Sequence, residues 1–98
     1  MRIPIRTYHY VPPGGVPAQP ITIYAMQEYS PNKHDSDADT YLFKIPNELR
    51  ADLPQETETQ TWGGVLRALA SWFEGETEEG ANSRLILIDR DPVSHRGL

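Results

Sequence analysis

The sequence contains no cysteine, and this absence excludes several chemistries at once. The protein can form no disulfide bond, no thiolate metal site and no cysteine nucleophile. Long apolar runs are also missing: no stretch approaches the roughly 20 residues that a membrane-spanning helix requires. The amino-terminal residues also lack the apolar core of a signal peptide. These absences predict a soluble, cytoplasmic protein that has no membrane partner.

Positive charge is scarce, and its distribution along the chain is uneven. All fourteen acidic residues lie between Glu28 and Asp91, where only six basic residues accompany them and the net charge is −8. A surface of this sign repels a phosphate backbone, so we expect no direct binding to nucleic acid. It favours encounter with a basic protein surface. A total charge of −5 over 98 residues is also an ordinary way of keeping a small domain soluble.

The motifs of common catalytic sites are missing as well. The sequence contains neither a Gly-x-Ser-x-Gly motif nor a glycine-rich phosphate loop. Asp91, Ser94 and His95 could suggest a catalytic triad, but we expect a mobile tail from about residue 92, and a triad needs a packed scaffold. We therefore predict that the protein is not an enzyme and that it uses no cofactor.

Residues 34–39 form the best candidate for a metal site. Asp35, Asp37 and Asp39 alternate as the first ligands of a calcium loop do. The pattern then fails, because Thr40 replaces the glycine of the sharp turn and the bidentate glutamate is missing. The sequence therefore predicts a solvated acidic loop with no bound metal.

Alternation of apolar and polar residues predicts a single small α+β domain over residues 1–98. The predicted elements are strands over residues 2–10, 21–29 and 41–45, a helix that starts near Thr61 and ends by Gly75, and a strand over residues 85–88. Short connections between the early strands favour a mainly antiparallel sheet of about four strands, in the order β-β-β-α-β. The single amphipathic helix is expected to pack on one face of this sheet.

The predicted helix and the last strand supply most of the apolar surface. Six residues share one helical face: Trp62, Val65, Leu66, Leu69, Trp72 and Phe73. The run Leu85–Ile88 is typical of a strand that is covered on both faces, whereas Pro4 places the first strand at a sheet edge, at least at its start. Because one helix covers only one face, a loop, a turn or a second subunit must cover the other. A homo-oligomer is therefore one expectation.

Four glutamates follow the predicted helix, where their charge opposes the helix dipole. An unfavourable placement of this kind suggests a function. We predict a small protein-interaction module, an accessory subunit, adaptor or inhibitor, that binds the basic surface of a partner protein. In a narrower version it occupies a nucleic-acid-binding groove on that partner. The predicted partner-binding residues are Glu74, Glu76, Glu78, Glu79, Asp35, Asp37 and Asp39.

Two other classes of function remain as alternatives. A small enzyme or ligand-binding domain would use Asp89, Arg90 and His9 at the end of a strand, or metal-binding carboxylates in the Asp35–Asp39 loop. A simple ion pair between Arg90 and a neighbouring aspartate explains the first group better than a site does. The second alternative is a structural component of a larger assembly.

Overall fold

The structure, a computed structural model, describes residues 2–14, 20–28, 38–46, 52–54 and 56–90. The elements are β1 (Arg2–Tyr10), β2 (Ile21–Glu28), β3 (Thr40–Lys44), β4 (Glu56–Thr59), α1 (Trp62–Trp72), α2 (Glu78–Arg84) and β5 (Leu85–Arg90). The predicted α+β class and antiparallel sheet are confirmed, but the described residues form five strands and two helices rather than four strands and one helix.

The five strands form one sheet in the order β4-β3-β2-β1-β5, and every pairing is antiparallel. The segment that precedes α1 is the edge strand β4, which is not among the elements that the sequence predicted. Its sequence, Glu-Thr-Glu-Thr, has no apolar residue. Pairing with β3 therefore sets its conformation, and an apolar pattern could not reveal it.

The core lies between the sheet and the helices. Ile21, Ile23 and Ala25 alternate along β2 and are fully buried, as their period of two predicts. Helix α1 buries Val65 and Leu69 against the same cluster. The alternating core faces of β2 and β3 and the apolar face of α1 were thus readable from the sequence.

Aromatic contacts fix α1 across β1 and β3. The ring of Trp62 lies between Tyr8 and Tyr41, with centroid distances of 5.0 Å and 5.5 Å. At the other end of the helix, the rings of Trp72 and Phe43 make an edge contact with a centroid distance of 5.0 Å. Offset and edge contacts of this type stabilise beyond their buried area. Both tryptophans pack against the core, as predicted.

The amino terminus of α1 is the predicted one. The Thr61 side chain caps the helix by accepting a hydrogen bond from the Gly64 amide at 2.9 Å. A Cβ atom on Gly64 would lie 2.1 Å from the hydroxyl of Thr59, so a close approach of β4 explains this glycine. The helix ends at Trp72, before Gly75 as predicted.

Of the two predictions about strand position, one is confirmed and the other is wrong. β1 pairs with β2 from Arg2 to Tyr10 but with β5 only from Arg6 to Tyr10, so its start, which contains Pro4, lies at an edge of the described sheet as predicted. β5 is not an inner strand: it lies at the sheet edge, where Ile86, Leu87 and Ile88 are 57%, 41% and 50% exposed. An apolar run of four residues does not distinguish an inner strand from an edge strand, since that position depends on the strand order.

Helices α1 and α2 lie on the same face of the sheet. Rings from α1 contact Tyr8 and Tyr41 on this face, and Ala81 of α2 is buried in the same core cluster. The opposite face carries no helix among the elements that the structure describes. Neither of these helices is long and apolar enough to cross a membrane.

Candidate partner-binding surface

The acidic segment after α1 contains a second helix that was not predicted. Thr77 caps α2, and its side chain accepts a hydrogen bond from the Gly80 amide at 3.0 Å. Glu78 and Glu79 therefore occupy the first turn of α2, where their charge favours the helix dipole. The expectation that these two glutamates oppose a dipole is wrong. Threonine followed by two glutamates was the available signal of a helix start.

Glu76 lies in the interior and not on the acidic surface. The residue is 8% exposed, and its side chain is 1% exposed. One carboxylate oxygen accepts the Tyr10 hydroxyl, and the other accepts the Arg84 guanidinium and the Thr77 amide. Glu76 was predicted to be an exposed partner-binding residue, and the structure corrects its placement. Buried carboxylates need donors of this kind to offset the loss of hydration.

The hydrogen bond to Glu76 also affects Tyr10, which is fully buried on β1. Burial, and then the neighbouring carboxylate, raise the pKa of Tyr10 well above its ordinary value, and Arg84 opposes this effect. Tyr10 therefore stays a neutral hydrogen-bond donor. The cluster of Tyr10, Glu76 and Arg84 ties the α1–α2 connection and the end of α2 to β1.

A glycine makes room for this buried cluster. A Cβ atom on Gly80 would lie 2.5 Å from the Glu76 carboxylate and 2.6 Å from the Arg84 guanidinium. The absence of a side chain in α2 therefore permits the ion pair to form beside the helix. Glu76 and Tyr10 are buried and serve to position α2, whereas the Arg84 side chain is 40% exposed.

A groove lies between α1 and α2 and has a volume of about 480 Å³. Its lining comes from Trp62 and Leu66 of α1 and from Glu78, Glu79 and Asn82 of α2. The indole N–H of Trp62 donates to the Asn82 side chain at 3.0 Å, which links the two helices across the groove. Glu78 and Glu79 are exposed, whereas Trp62 and Leu66 are half-buried. We call this feature the acidic groove.

The acidic groove combines two surfaces that suit a basic side chain. Lysine and arginine have an aliphatic stem that packs on apolar surface and a charged head that remains near water. Leu66 and the accessible part of the half-buried Trp62 side chain offer the apolar surface. Glu78 and Glu79 offer carboxylate acceptors for the charged head.

Of the remaining predicted partner-binding residues, the two that the structure describes, Glu74 and Asp39, are not among those that line the acidic groove. Glu74 is exposed in the turn after α1. Asp39 is exposed beside the end of β2, where its carboxylate accepts the Glu28 amide at 2.7 Å. Asp35 and Asp37, together with His34, lie outside the residues that the structure describes. So does the predicted carboxy-terminal tail.

The residues of the first alternative site belong to the ladder between β1 and β5. On β1, His9 lies opposite Ile86, while Asp89 lies opposite Thr7 and Arg90 opposite Arg6. In the described ranges, no group of three histidine, aspartate or glutamate side chains could hold a metal ion.

Comparison with protein-family models, with curated proteins and with solved structures finds no match to this chain. The sequence pointed to the acidic residues of the acidic groove but not to Trp62, Leu66 and Asn82. Trp62 and Leu66 belong to the face of α1 that the spacing of apolar residues assigned to the core.

Proposed function

We propose that the protein is a small interaction module that binds a basic segment of a partner protein in the acidic groove. The observation that supports this proposal is the pairing of two exposed carboxylates with an apolar floor on neighbouring helices. An acidic patch alone would serve solubility. A patch beside a half-buried tryptophan also offers a place for the stem of a cationic side chain.

The mechanism has a long-range part and a short-range part. The net charge of −8 between Glu28 and Asp91 attracts a basic partner and accelerates encounter. An arginine or lysine of the partner then enters the acidic groove, where its stem packs on Trp62 and Leu66. Its charged head binds Glu78 or Glu79, which are held in place because they belong to the first turn of α2.

The test is the affinity for a defined basic peptide, measured by calorimetry. A short peptide rich in arginine and lysine is expected to bind, and a peptide of the same length rich in glutamate is not. The double variant Glu78→Gln/Glu79→Gln should weaken binding by about tenfold, because it removes both acceptors of the charged head. Glutamine keeps the size of the side chains and preserves the helix.

A matched control separates the acidic groove from total charge. The double variant Glu28→Gln/Glu58→Gln removes two exposed carboxylates outside the acidic groove and changes the net charge equally. We expect it to bind the peptide with less than about a threefold loss, because only long-range attraction is reduced. Equal losses in both double variants, or no loss in the first, would refute the proposed function.

A further inference from the structure

The side-chain amide of Asn82 has a fixed orientation in the acidic groove. Its oxygen accepts the indole N–H of Trp62 at 3.0 Å, and because an indole nitrogen can only donate, the amide oxygen and not the amide nitrogen must face Trp62. Among the residues that the structure describes, the amide nitrogen has no hydrogen-bond partner. Asn82 is exposed and lines the acidic groove, so the N–H donors of this amide are available to a bound molecule.

The ring that orients Asn82 is itself held by the sheet. Trp62 lies between Tyr8 of β1 and Tyr41 of β3, with centroid distances of 5.0 Å and 5.5 Å. A donor whose position is fixed by packed neighbours loses little conformational entropy on binding, so its hydrogen bond adds more to affinity than that of a freely rotating side chain. The Asn82 amide is therefore a preorganised donor in the acidic groove.

This donor and the two carboxylates of the acidic groove lie on adjacent turns of α2. Glu79 and Glu78 precede Asn82 by three and four residues, and side chains with this spacing are neighbours on a helix, about 5–6 Å apart at their Cβ atoms. In a lysine residue, a flexible four-carbon stem separates the charged head from the main chain by a comparable length. One basic residue can therefore bind a carboxylate with its head and the Asn82 amide with its main-chain carbonyl oxygen.

We infer that Asn82 donates a hydrogen bond to a main-chain carbonyl oxygen of the bound basic segment, and that this segment is extended. The inference rests on the proposed function, since it assigns a role to a residue of the acidic groove. Carbonyl groups inside an α-helix already accept amides of the same helix, whereas those of an extended chain are free. The acidic groove thus distinguishes a peptide from a free polyamine, which has the charge and the aliphatic stem but no carbonyl group.

The test compares two ligands of equal positive charge, spermine and an extended, end-blocked lysine peptide that contains proline. The variant Asn82→Asp keeps an oxygen that accepts the Trp62 indole but replaces the amide donor with a second acceptor. The added negative charge acts on both ligands, so the ratio of their dissociation constants isolates the loss of the donor. In calorimetry, the dissociation constant of the peptide relative to that of spermine should rise by about fivefold in this variant.

Ser83→Asp is the matched control for charge. Ser83 is exposed and follows Asn82 in α2, and it is not among the residues that line the acidic groove. This variant adds the same charge and keeps the amide, so the ratio should stay within about twofold of the native value. A second readout separates donation from a merely structural role: in Asn82→Asp the thermal midpoint and the Trp62 indole resonance should stay close to native, because the oxygen acceptor remains.

A peptide of the same charge that a hydrocarbon bridge holds helical tests the conformation, and it should bind native protein at least about threefold more weakly than the extended peptide. Equal affinities would overturn the extended conformation. An unchanged ratio in Asn82→Asp, an equal change in Ser83→Asp, or a change that accompanies a displaced indole resonance overturns the role of Asn82, while peptide binding in the acidic groove stands. Native protein that binds neither ligand, or spermine alone, overturns the proposed function as well.

Discussion

Glu76 differs from the other residues of the acidic segment because three donors converge on its carboxylate. The donors come from β1, from the cap of α2 and from the last residue of α2. Its neighbour Glu74 is exposed and lies in a turn. Two glutamates that are separated by one glycine thus have opposite roles, one in holding the fold together and one on the surface.

Glu76→Gln should lower the free energy of unfolding by about 1–3 kcal/mol. An amide of the same shape cannot accept both the Tyr10 hydroxyl and the Arg84 guanidinium as a carboxylate does, and it leaves Arg84 without its counter-charge. This loss of stability is smaller than that expected for a fully buried ion pair, because the Arg84 side chain is 40% exposed and water screens its charge. Urea denaturation gives the value. The control Glu74→Gln should change stability by less than about 0.5 kcal/mol, and equal effects would contradict the buried role of Glu76.

Tyr10 makes a pH-dependent contribution to stability on the alkaline side. Its pKa is raised in the folded protein, so above pH about 10 the unfolded chain loses this proton while the folded protein keeps it. Stability from Tyr10 is therefore complete below that pH and falls as the pH rises. Denaturation at pH about 9 and about 11 should show a steeper loss for the native protein than for Tyr10→Phe. Equal slopes would show that Tyr10 titrates normally.

Sequence reasoning could not separate Glu76 from the other glutamates. All four are surrounded by polar residues, and the features that bury one of them are distant along the chain. Tyr10 is 66 positions away, and Gly80 matters only because its missing side chain leaves space for the ion pair. Composition indicated the charge of the segment, whereas its division into interior and surface depends on tertiary contacts.

At the scale of elements, the two glycines at the start of α1 are expected to respond in opposite ways to alanine. A Cβ atom on Gly63 meets only the flexible end of Arg67, at 3.2 Å, whereas on Gly64 it would overlap Thr59. Gly63→Ala should therefore stabilise the protein by about 0.5–1 kcal/mol, through lower entropy of the unfolded chain. Gly64→Ala should destabilise it by about 1–3 kcal/mol through overpacking.

Denaturation curves of these two variants are each other's control, because both substitutions raise helix propensity equally. A gain in stability for both variants would mean that β4 does not approach the helix at Gly64.

The elements that the sequence predicted share a strong periodic pattern. Alternation identified β1, β2 and β3, and the 3.6-residue period together with Thr61 identified α1. β4 and α2 lack such a pattern, because they are short and mostly polar. β4 is set by its ladder to β3, and α2 by its cap and by the burial of Ala81. The position of β5 at the edge follows from strand order, which a single sequence does not specify.

At the scale of the whole molecule, the acidic groove and the β5 edge are distinct surfaces joined by α2. The acidic groove uses one side of α2, and β5 begins at the residue after Arg84.

Ionic strength should affect peptide binding mainly through the association rate. The net charge of −8 between Glu28 and Asp91 acts over distances that salt screens, whereas the contacts in the acidic groove are short. Raising the salt concentration from about 0.01 M to about 0.15 M shortens the Debye length from about 30 Å to about 8 Å and should slow association several-fold. Dissociation should change less. Stopped-flow fluorescence of tryptophan can measure both rates, and a salt effect confined to dissociation would contradict steering by net charge.

The most direct measurement is a nuclear magnetic resonance titration of the ¹⁵N-labelled protein with the basic peptide. The indole N–H of Trp62 is a reporter inside the acidic groove because it bonds to Asn82. Its resonance should shift saturably, together with the amides of Leu66, Glu78 and Glu79. Trp72, which packs on Phe43 away from this lining, supplies an internal control and should shift little. Shifts that leave Trp62 unchanged, or that spread over the helix-free face of the sheet, would contradict binding in the acidic groove.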